Sequence, residues 1–342
     1  MGAARPRRAR VRIFVTGGTG LVGRHVLGAL RARGDTVRAL ARSDAAAADL
    51  RVQGAEPVPG DLSDAARLGA AIAGSDAVVH AAATILSGGD WPAWHAANVA
   101  GTEAVARAAA GAGARLVYLS SVAVYGRRTT YDGGPGSVDE DFGLDRPIYR
   151  NDFYARSKRE AEQALWRVAE QTGLRAAALR PCVIYGEGDR NFSPRVARLL
   201  ARGLVPLIGP GDNALSVVYA GNVAAAVIAA LDHGEVTGPF NVANDGAVTQ
   251  RQFAERLAAG LGVRARWIPI PHALAWGGAR VWDATIGALA GWTGVLSARS
   301  SVQFLASRNP YTSARAERVL GWRPVVAPLE AVERTGRSIR PR

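Results

Sequence analysis

The chain has 342 residues, 48% hydrophobic and 21% charged, which excludes a disordered or collagen-like polymer and fits one large or two coupled domains. A formal charge of +13 is spread over arginines along the whole length, with one dense run from Arg5 to Arg12 read as a frayed basic tail. That distribution argues against a nucleic-acid partner. A single cysteine, Cys182, excludes an internal disulfide and fits a reducing compartment.

Val11 to Thr16 reads as a short apolar strand running into Gly17-Gly18-Thr19-Gly20-Leu21-Val22-Gly23, and a helical pattern follows to about Arg33. Gly34-Asp35 turns the chain into a strand from Thr36 to Ala41. Ala55 to Pro59 reads as a third strand, ending at Gly60-Asp61-Leu62. A helix from Ser63 to Ala73, a strand from Ala77 to Ala81, a helix from Asn98 to Ala112 and a strand from Arg115 to Ser120 continue the alternation. A long helix from Tyr154 to Gln171 precedes a strand from Arg175 to Leu179. Such alternation predicts an α/β fold with a doubly wound, parallel Rossmann sheet.

Two stretches break the rhythm. Gly126 to Asp152 is long and polar, with Gly133-Gly134-Pro135-Gly136 and an acidic triplet, Asp139-Glu140-Asp141, read as a solvated run; no metal is expected. After Gly186 the simple alternation stops, and Phe240-Asn241-Val242 reads as a late return to the sheet. The expected division is therefore a dinucleotide-binding domain, 11–186 with 216–246 returning to it. A smaller, discontinuous C-terminal substrate domain is expected from 187–215 and 247–330.

No segment reads as a signal peptide, so a cytoplasmic location is expected. The stretch 272–296 is apolar and rich in tryptophan (Trp276, Trp282, Trp292). It also holds Arg280, Asp283 and several glycines, which suits a pocket cover or a peripheral membrane contact better than a spanning helix.

Glycines at 17, 20 and 23, between a strand and a helix, meet the needs of dinucleotide binding. One allows the tight turn, one the approach of backbone to a pyrophosphate, and one the packing of helix on strand. The helix start then offers free N–H groups to phosphate. At the end of the second strand a carboxylate would bind a ribose 2′-hydroxyl, and an arginine accommodates a 2′-phosphate. This strand ends Ala41-Arg42 with no acid, which favours NADP and leaves NAD open. Asp61 and Leu62 are placed to reach the adenine, and Asp61 could equally cap the next helix.

Lysine occurs once, at Lys158; every other basic residue is arginine. It stands four residues after Tyr154, on the same helical face. A compact ammonium stabilises tyrosinate and lowers the phenol pKa, which makes Tyr154 a candidate general acid/base.

With these motifs together, the chain resembles an extended short-chain dehydrogenase/reductase over roughly residues 11 to 325. The resemblance rests also on His80-Ala81-Ala82-Ala83, Asn98-Val99-Ala100-Gly101-Thr102, Ser120-Ser121-Val122-Ala123-Val124-Tyr125-Gly126, Arg180-Pro181-Cys182-Val183-Ile184-Tyr185-Gly186 and Gly321-Trp322-Arg323-Pro324. It implies that Ser121 hydrogen-bonds the substrate oxygen, Tyr154 exchanges the proton, and Lys158 holds the nicotinamide ribose. It further implies cofactor contacts from Gly17, Thr19, Gly20, Leu21, Val22, Gly23, Arg42, Asp61, Leu62, Ala81, Ala82, Ala83, Asn98, Ser120, Pro181 and Val183. Substrate contacts would come from Thr84, Ser121, Tyr185 and Asn191. Asn98 is also expected to cap its helix, and a homodimer through the two long helices is the family's usual assembly.

Departures from the family pattern narrow the substrate. Dehydratases of this family carry Asp-Glu after the active-site hydroxyl; here Val122-Ala123 cannot do that chemistry. Arginines that clamp a nucleotide-sugar diphosphate are missing around Ala214-Leu215-Ser216 and Ser301 to Leu305. In their place stand Trp267, Pro269, Ile270 and Pro271, similar to the 3β-hydroxysteroid/sterol dehydrogenase branch. The expected reaction is hydride transfer to or from a secondary alcohol or ketone of an apolar, ring-like substrate. The alternatives are a nucleotide-sugar 4-epimerase or reductase and a non-catalytic NADP-binding regulatory protein.

Overall fold

A computed structural model describes residues 10–85, 90–126, 137–149, 151–287 and 298–339. The expected Gly133–Gly136 turn, Arg5 to Arg8 and Trp292 lie outside these residues. Strands β1 (Arg12–Thr16), β2 (Thr36–Ala41), β3 (Glu56–Pro59), β4 (Ala77–His80), β5 (Arg115–Leu119), β6 (Ala176–Pro181), β7 (Val183–Tyr185), β8 (Leu204–Ile208), β9 (Val217–Tyr219), β10 (Gly238–Val242) and β11 (Arg266–Ile270) follow in chain order. Seven of them form one sheet in the order β10-β6-β5-β4-β1-β2-β3, every pair parallel. The chain winds outward from β1 through β2 and β3, then restarts at β4 on its other side. This reversal opens a crevice at the carboxyl ends of β1 and β4, where ligands bind in doubly wound sheets.

The helices are α1 (Leu21–Ala32), α2 (Asp44–Val52), α3 (Ala65–Ile72), α4 (Trp91–Trp94), α5 (Gly101–Gly111), α6 (Phe153–Thr172), α7 (Ser193–Ala201), α8 (Ala220–Asp232), α9 (Gln250–Leu261), α10 (His272–Trp282), α11 (Ala298–Ala306), α12 (Ala314–Val319) and α13 (Pro328–Ser338). Side chains alternating along the strands feed two cores. Ile13, Val15, Val117 and Leu119 pack with Val26, Leu30 and Val227 of α1 and α8. Phe14, Leu116 and Tyr118 pack on the opposite face with Ile72, Val105 and Leu165 of α3, α5 and α6. A sheet with both faces covered is what near-continuous apolar strands require. A third core, around Tyr185, Val205, Tyr219, Phe253 and Leu257, gathers the segments after Gly186.

Several expectations need correction. Helix α2 was not expected; Ser43 caps it by accepting the Ala46 N–H. Asp64, not Asp61, caps α3. Glu140 of the acidic triplet is buried and accepts the Asn241 backbone N–H at 2.6 Å, so it is an internal partner and not part of a solvated run. Arg12 belongs to β1 and pairs with Asp76, so the basic run is anchored at that end. Helix α10 presents Leu274, Trp276, Val281 and Trp282 to solvent and buries only Ala279. No described helix is long and apolar enough to cross a membrane.

Candidate active site

The glycine-rich turn follows β1 into the crevice. Gly17 has φ +74°, and a methyl group there would lie 2.5 Å from the Ala82 backbone nitrogen. One on Gly23 would overlap the Gly17 carbonyl. Gly20 starts α1 without any side-chain cap, so the helix offers its first N–H groups to the crevice. A dinucleotide pyrophosphate fits such a cradle, because backbone packs directly against Gly17 and Gly23 there. Thr19, Leu21 and Val22 are partly exposed along its rim.

At the far end of β2 and β3 a hollow of about 350 Å³ is lined by Arg42, Ser43, Asp61 and Arg67 among others. Arg42 and Asp61 are both exposed. The Asp61 carboxyl is held below its ordinary pKa by hydrogen bonds from the Ser63 backbone and hydroxyl, with help from Arg42. Leu62 packs beside Gly101.

Helix α6 carries the proton-transfer candidates. Asp152, itself buried, caps the helix by accepting the Ala155 N–H at 3.1 Å, which fixes the first turn where Tyr154 stands. Tyr154 is partly exposed, with the Trp94 ring edge-on at 6.5 Å between centroids. Lys158, one turn on, is only 3% exposed. Its Nζ donates to the Leu119 carbonyl at 2.7 Å and approaches the Tyr118 hydroxyl at 3.4 Å. Burial pulls the ammonium pKa from 10.5 down to about 7, against an opposing pull from Glu162. Ser121 follows β5 and caps a short turn, Val122–Tyr125: its Oγ accepts the Ala123 N–H at 3.1 Å. That bond uses a lone pair and leaves the hydroxyl proton available for a substrate oxygen.

Asn98 does not cap a helix. It sits within a π-helical turn, His95–Ala100, which links α4 to α5. Its amide accepts the Thr84 N–H and donates to the Thr84 carbonyl and to Ser157 Oγ, so it ties the strand end after β4 to α6. Ala81, Ala82 and Ala83 line that strand end, partly buried. Pro181 is buried and Val183 is 36% exposed. Tyr185 is fully buried in the third core, its hydroxyl on the Pro328 carbonyl, which removes it from the surface a substrate could touch. Asn191 is exposed in a turn organised by Asp189. No group of three potential metal ligands occurs among the described residues.

Comparison with known proteins decides the family. The model of the NAD dependent epimerase/dehydratase family matches residues 13–243. The chain belongs to that family. A 2-alkyl-3-oxoalkanoate reductase of Stenotrophomonas maltophilia is 34% identical over 261 residues, 74% of this chain and 76% of its own. A 4-hydroxy-2-methyl-3-oxo-4-farnesyl-3,4-dihydroquinoline-1-oxide ketoreductase of Stigmatella aurantiaca is 31% identical, covering 91% of this chain and 92% of its own. A 3 beta-hydroxysteroid dehydrogenase/Delta 5-->4-isomerase of Mycobacterium tuberculosis is 30% identical over 94% of this chain and 88% of its own. This epimerase/dehydratase-family chain is thus an NAD-dependent oxidoreductase of the extended short-chain dehydrogenase/reductase type.

Beneath the site, the family chain holds polar groups that sequence reading missed. His80 is 1% exposed; its Nδ1 lies 2.6 Å from Thr16 Oγ1 and its Nε2 lies 3.0 Å from Thr102 Oγ1. Thr102 donates its own proton to the Asn98 carbonyl, so His80 must donate from Nε2 and accept at Nδ1. Burial and the nearby Lys158 push its pKa down to about 3, and it stays neutral. This brace ties β1, β4 and α5 together directly under the glycine turn. A second set joins Ser120, Glu162, Arg180, Tyr125 and Asn241 under the serine segment. His80, Thr102, Ser120, Tyr125 and Arg180 stood in the motifs that carry the resemblance, but nothing in the sequence indicated that they bond to one another.

Proposed function

We propose that this oxidoreductase transfers hydride between NADP and a secondary alcohol or ketone of an apolar, ring-like substrate, with Tyr154 as the proton donor or acceptor. The observation that carries this reading is Lys158: a lone lysine, buried one turn below Tyr154, where its ammonium hydrogen-bonds the neutral Leu119 carbonyl and Tyr118 hydroxyl. A cation in that setting stabilises a neighbouring phenolate far more than it would in water. Nicotinamide, when bound, supplies or takes up the hydride at its ring carbon.

In reduction, Tyr154 gives its phenolic proton to the carbonyl oxygen as the carbon becomes an alcohol, and Ser121 donates to the same oxygen. The ammonium stabilises the tyrosinate that remains. Gly17, Gly20 and Gly23 cradle the pyrophosphate, Asp61 and Leu62 flank the adenine, and Arg42 accompanies a 2′-phosphate. Ala81 to Ala83, Asn98, Ser120, Pro181 and Val183 border the cofactor channel, while Thr84 and Asn191 face the substrate side. Residues 11–186 with 216–246 serve as the cofactor domain, and 187–215 with 247–330 as the substrate domain, in a homodimer.

An apolar substrate suits the surroundings of Tyr154, where Trp91, Trp94 and Phe153 cluster. It also suits the three relatives, whose names describe an alkyl oxo acid, a farnesylated ketone and a steroid. The test pairs a variant with a ligand panel. Tyr154→Phe should bind NADPH as the native protein does and lose turnover by about a hundredfold or more. A steroid ketone or a 2-alkyl-3-oxoalkanoate should raise the melting temperature of the NADPH-loaded protein, and UDP should not. A UDP shift with none from the apolar ketones would overturn the substrate assignment.

A further inference from the structure

Below Lys158 lies a buried ion pair that the proton-transfer chemistry leaves unassigned. Glu162, four residues after Lys158 on the same face of α6, is 0% exposed, and Arg180 of β6 is 2% exposed. The carboxylate accepts from Nε and one terminal nitrogen of the Arg180 guanidinium, from Ser120 Oγ at 2.6 Å and from Trp166 Nε1 at 3.3 Å. Arg180 spends its remaining arm on the Tyr125 hydroxyl at 2.7 Å, which in turn donates to Asn241. Every oxygen of Glu162 is pinned, so the charge cannot swing toward or away from Lys158.

Arg180 holds Glu162 directly and also lies within electrostatic reach of the buried Glu140, whereas Lys158 hydrogen-bonds only the Leu119 carbonyl and the Tyr118 hydroxyl among the described residues. The groups facing Lys158 from other elements are Tyr118 of β5 and His80 of β4, both neutral; Tyr154 and Glu162 face it from its own helix. The Lys158 ammonium therefore makes no direct ion pair among the described residues, at the place where Tyr154 would carry a phenolate. We propose that the Glu162–Arg180 pair is a positioning device that sets the charge of Lys158: Glu162 holds the ammonium, and Arg180 prevents Glu162 from neutralising it. This rests on the reading of Tyr154 as the acid/base and assigns the regulation of its pKa. In agreement, Glu162 opposes the loss of the Lys158 proton on burial.

The chain's single lysine allows a direct measurement. Protein grown with 13C-lysine gives one side-chain signal, from Lys158, whose pH titration needs neither cofactor nor substrate. Glu162→Gln should move the titration midpoint down by about half a pH unit or more, Glu162→Asp should stay near the native value, and Arg180→Met should move it up. Where Glu162→Gln fails to fold for want of a partner for Arg180, the double variant Glu162→Gln/Arg180→Met removes both charges and should titrate below Arg180→Met. A midpoint that is the same in the folded variants as in the native protein would overturn the proposal. That outcome would leave the assignment of Tyr154 standing, since Tyr154→Phe tests it separately.

Discussion

Gly17 and Ala82 meet so closely that the peptide after β4 occupies the space a side chain on Gly17 would need. The turn is also left-handed at that point, which disfavours any other residue. Gly17→Ala should therefore weaken NADPH binding at least tenfold, as read by cofactor fluorescence, and lower the melting temperature by several degrees. Native affinity in this variant would show that the turn does not cradle the cofactor.

Lys158 opposes stability. Its folded pKa of about 7 lies below the unfolded 10.5, so the fold disfavours the charged form. That penalty, on the order of 5 kcal/mol at most, is full below pH 7 and fades as pH rises toward 10.5. Lys158→Met should melt higher than the native protein at pH 6, with the advantage shrinking by pH 10, and should lose turnover. Lys158→Arg should be inactive too, because a planar fork cannot replace a point charge between Leu119 and Tyr118. Calorimetry across pH, beside an activity assay, checks both.

His80 responds to acid. With its pKa depressed from 6.5 to about 3, the neutral form contributes stability that is present above pH 6.5 and lost as pH falls through 3. Denaturant unfolding between pH 7 and pH 4 should show stability falling steeply, and His80→Gln should flatten that slope. An unchanged slope would place the acid sensitivity elsewhere.

Arg42 should govern cofactor choice. It lines the hollow beyond β2 together with Ser43 and Arg67. Arg42→Ala should weaken NADPH binding about tenfold and leave NADH nearly untouched, as paired titrations would measure. Equal loss for both cofactors would rule out a role in reading the 2′-phosphate.

Local features were legible in the sequence because their physics is local. The glycine turn, the Tyr154/Lys158 spacing and the alternating strands each depend on neighbours within one turn or one strand. Pairing across the fold was not legible. Nothing near Glu162 in the chain points to Arg180, and His80 meets Thr16 and Thr102 only once the sheet has formed. Helix α2 escaped notice because it buries only Ala47 and Leu50, too few apolar positions to show a helical period. Asn98 was misread because the helical run begins earlier, at Trp91 with Asp90 as its cap, and passes through a π-helical turn that a 3.6-residue pattern does not reveal.

A surface with arginine in place of lysine is nearly blind to amine-directed chemistry. The one side-chain amine is 3% exposed, in the cleft beneath Tyr154. Acylating reagents that decorate most proteins indiscriminately would here find, beyond the α-amine, a single nucleophile. Its modification would report directly on whether the cleft is open or filled.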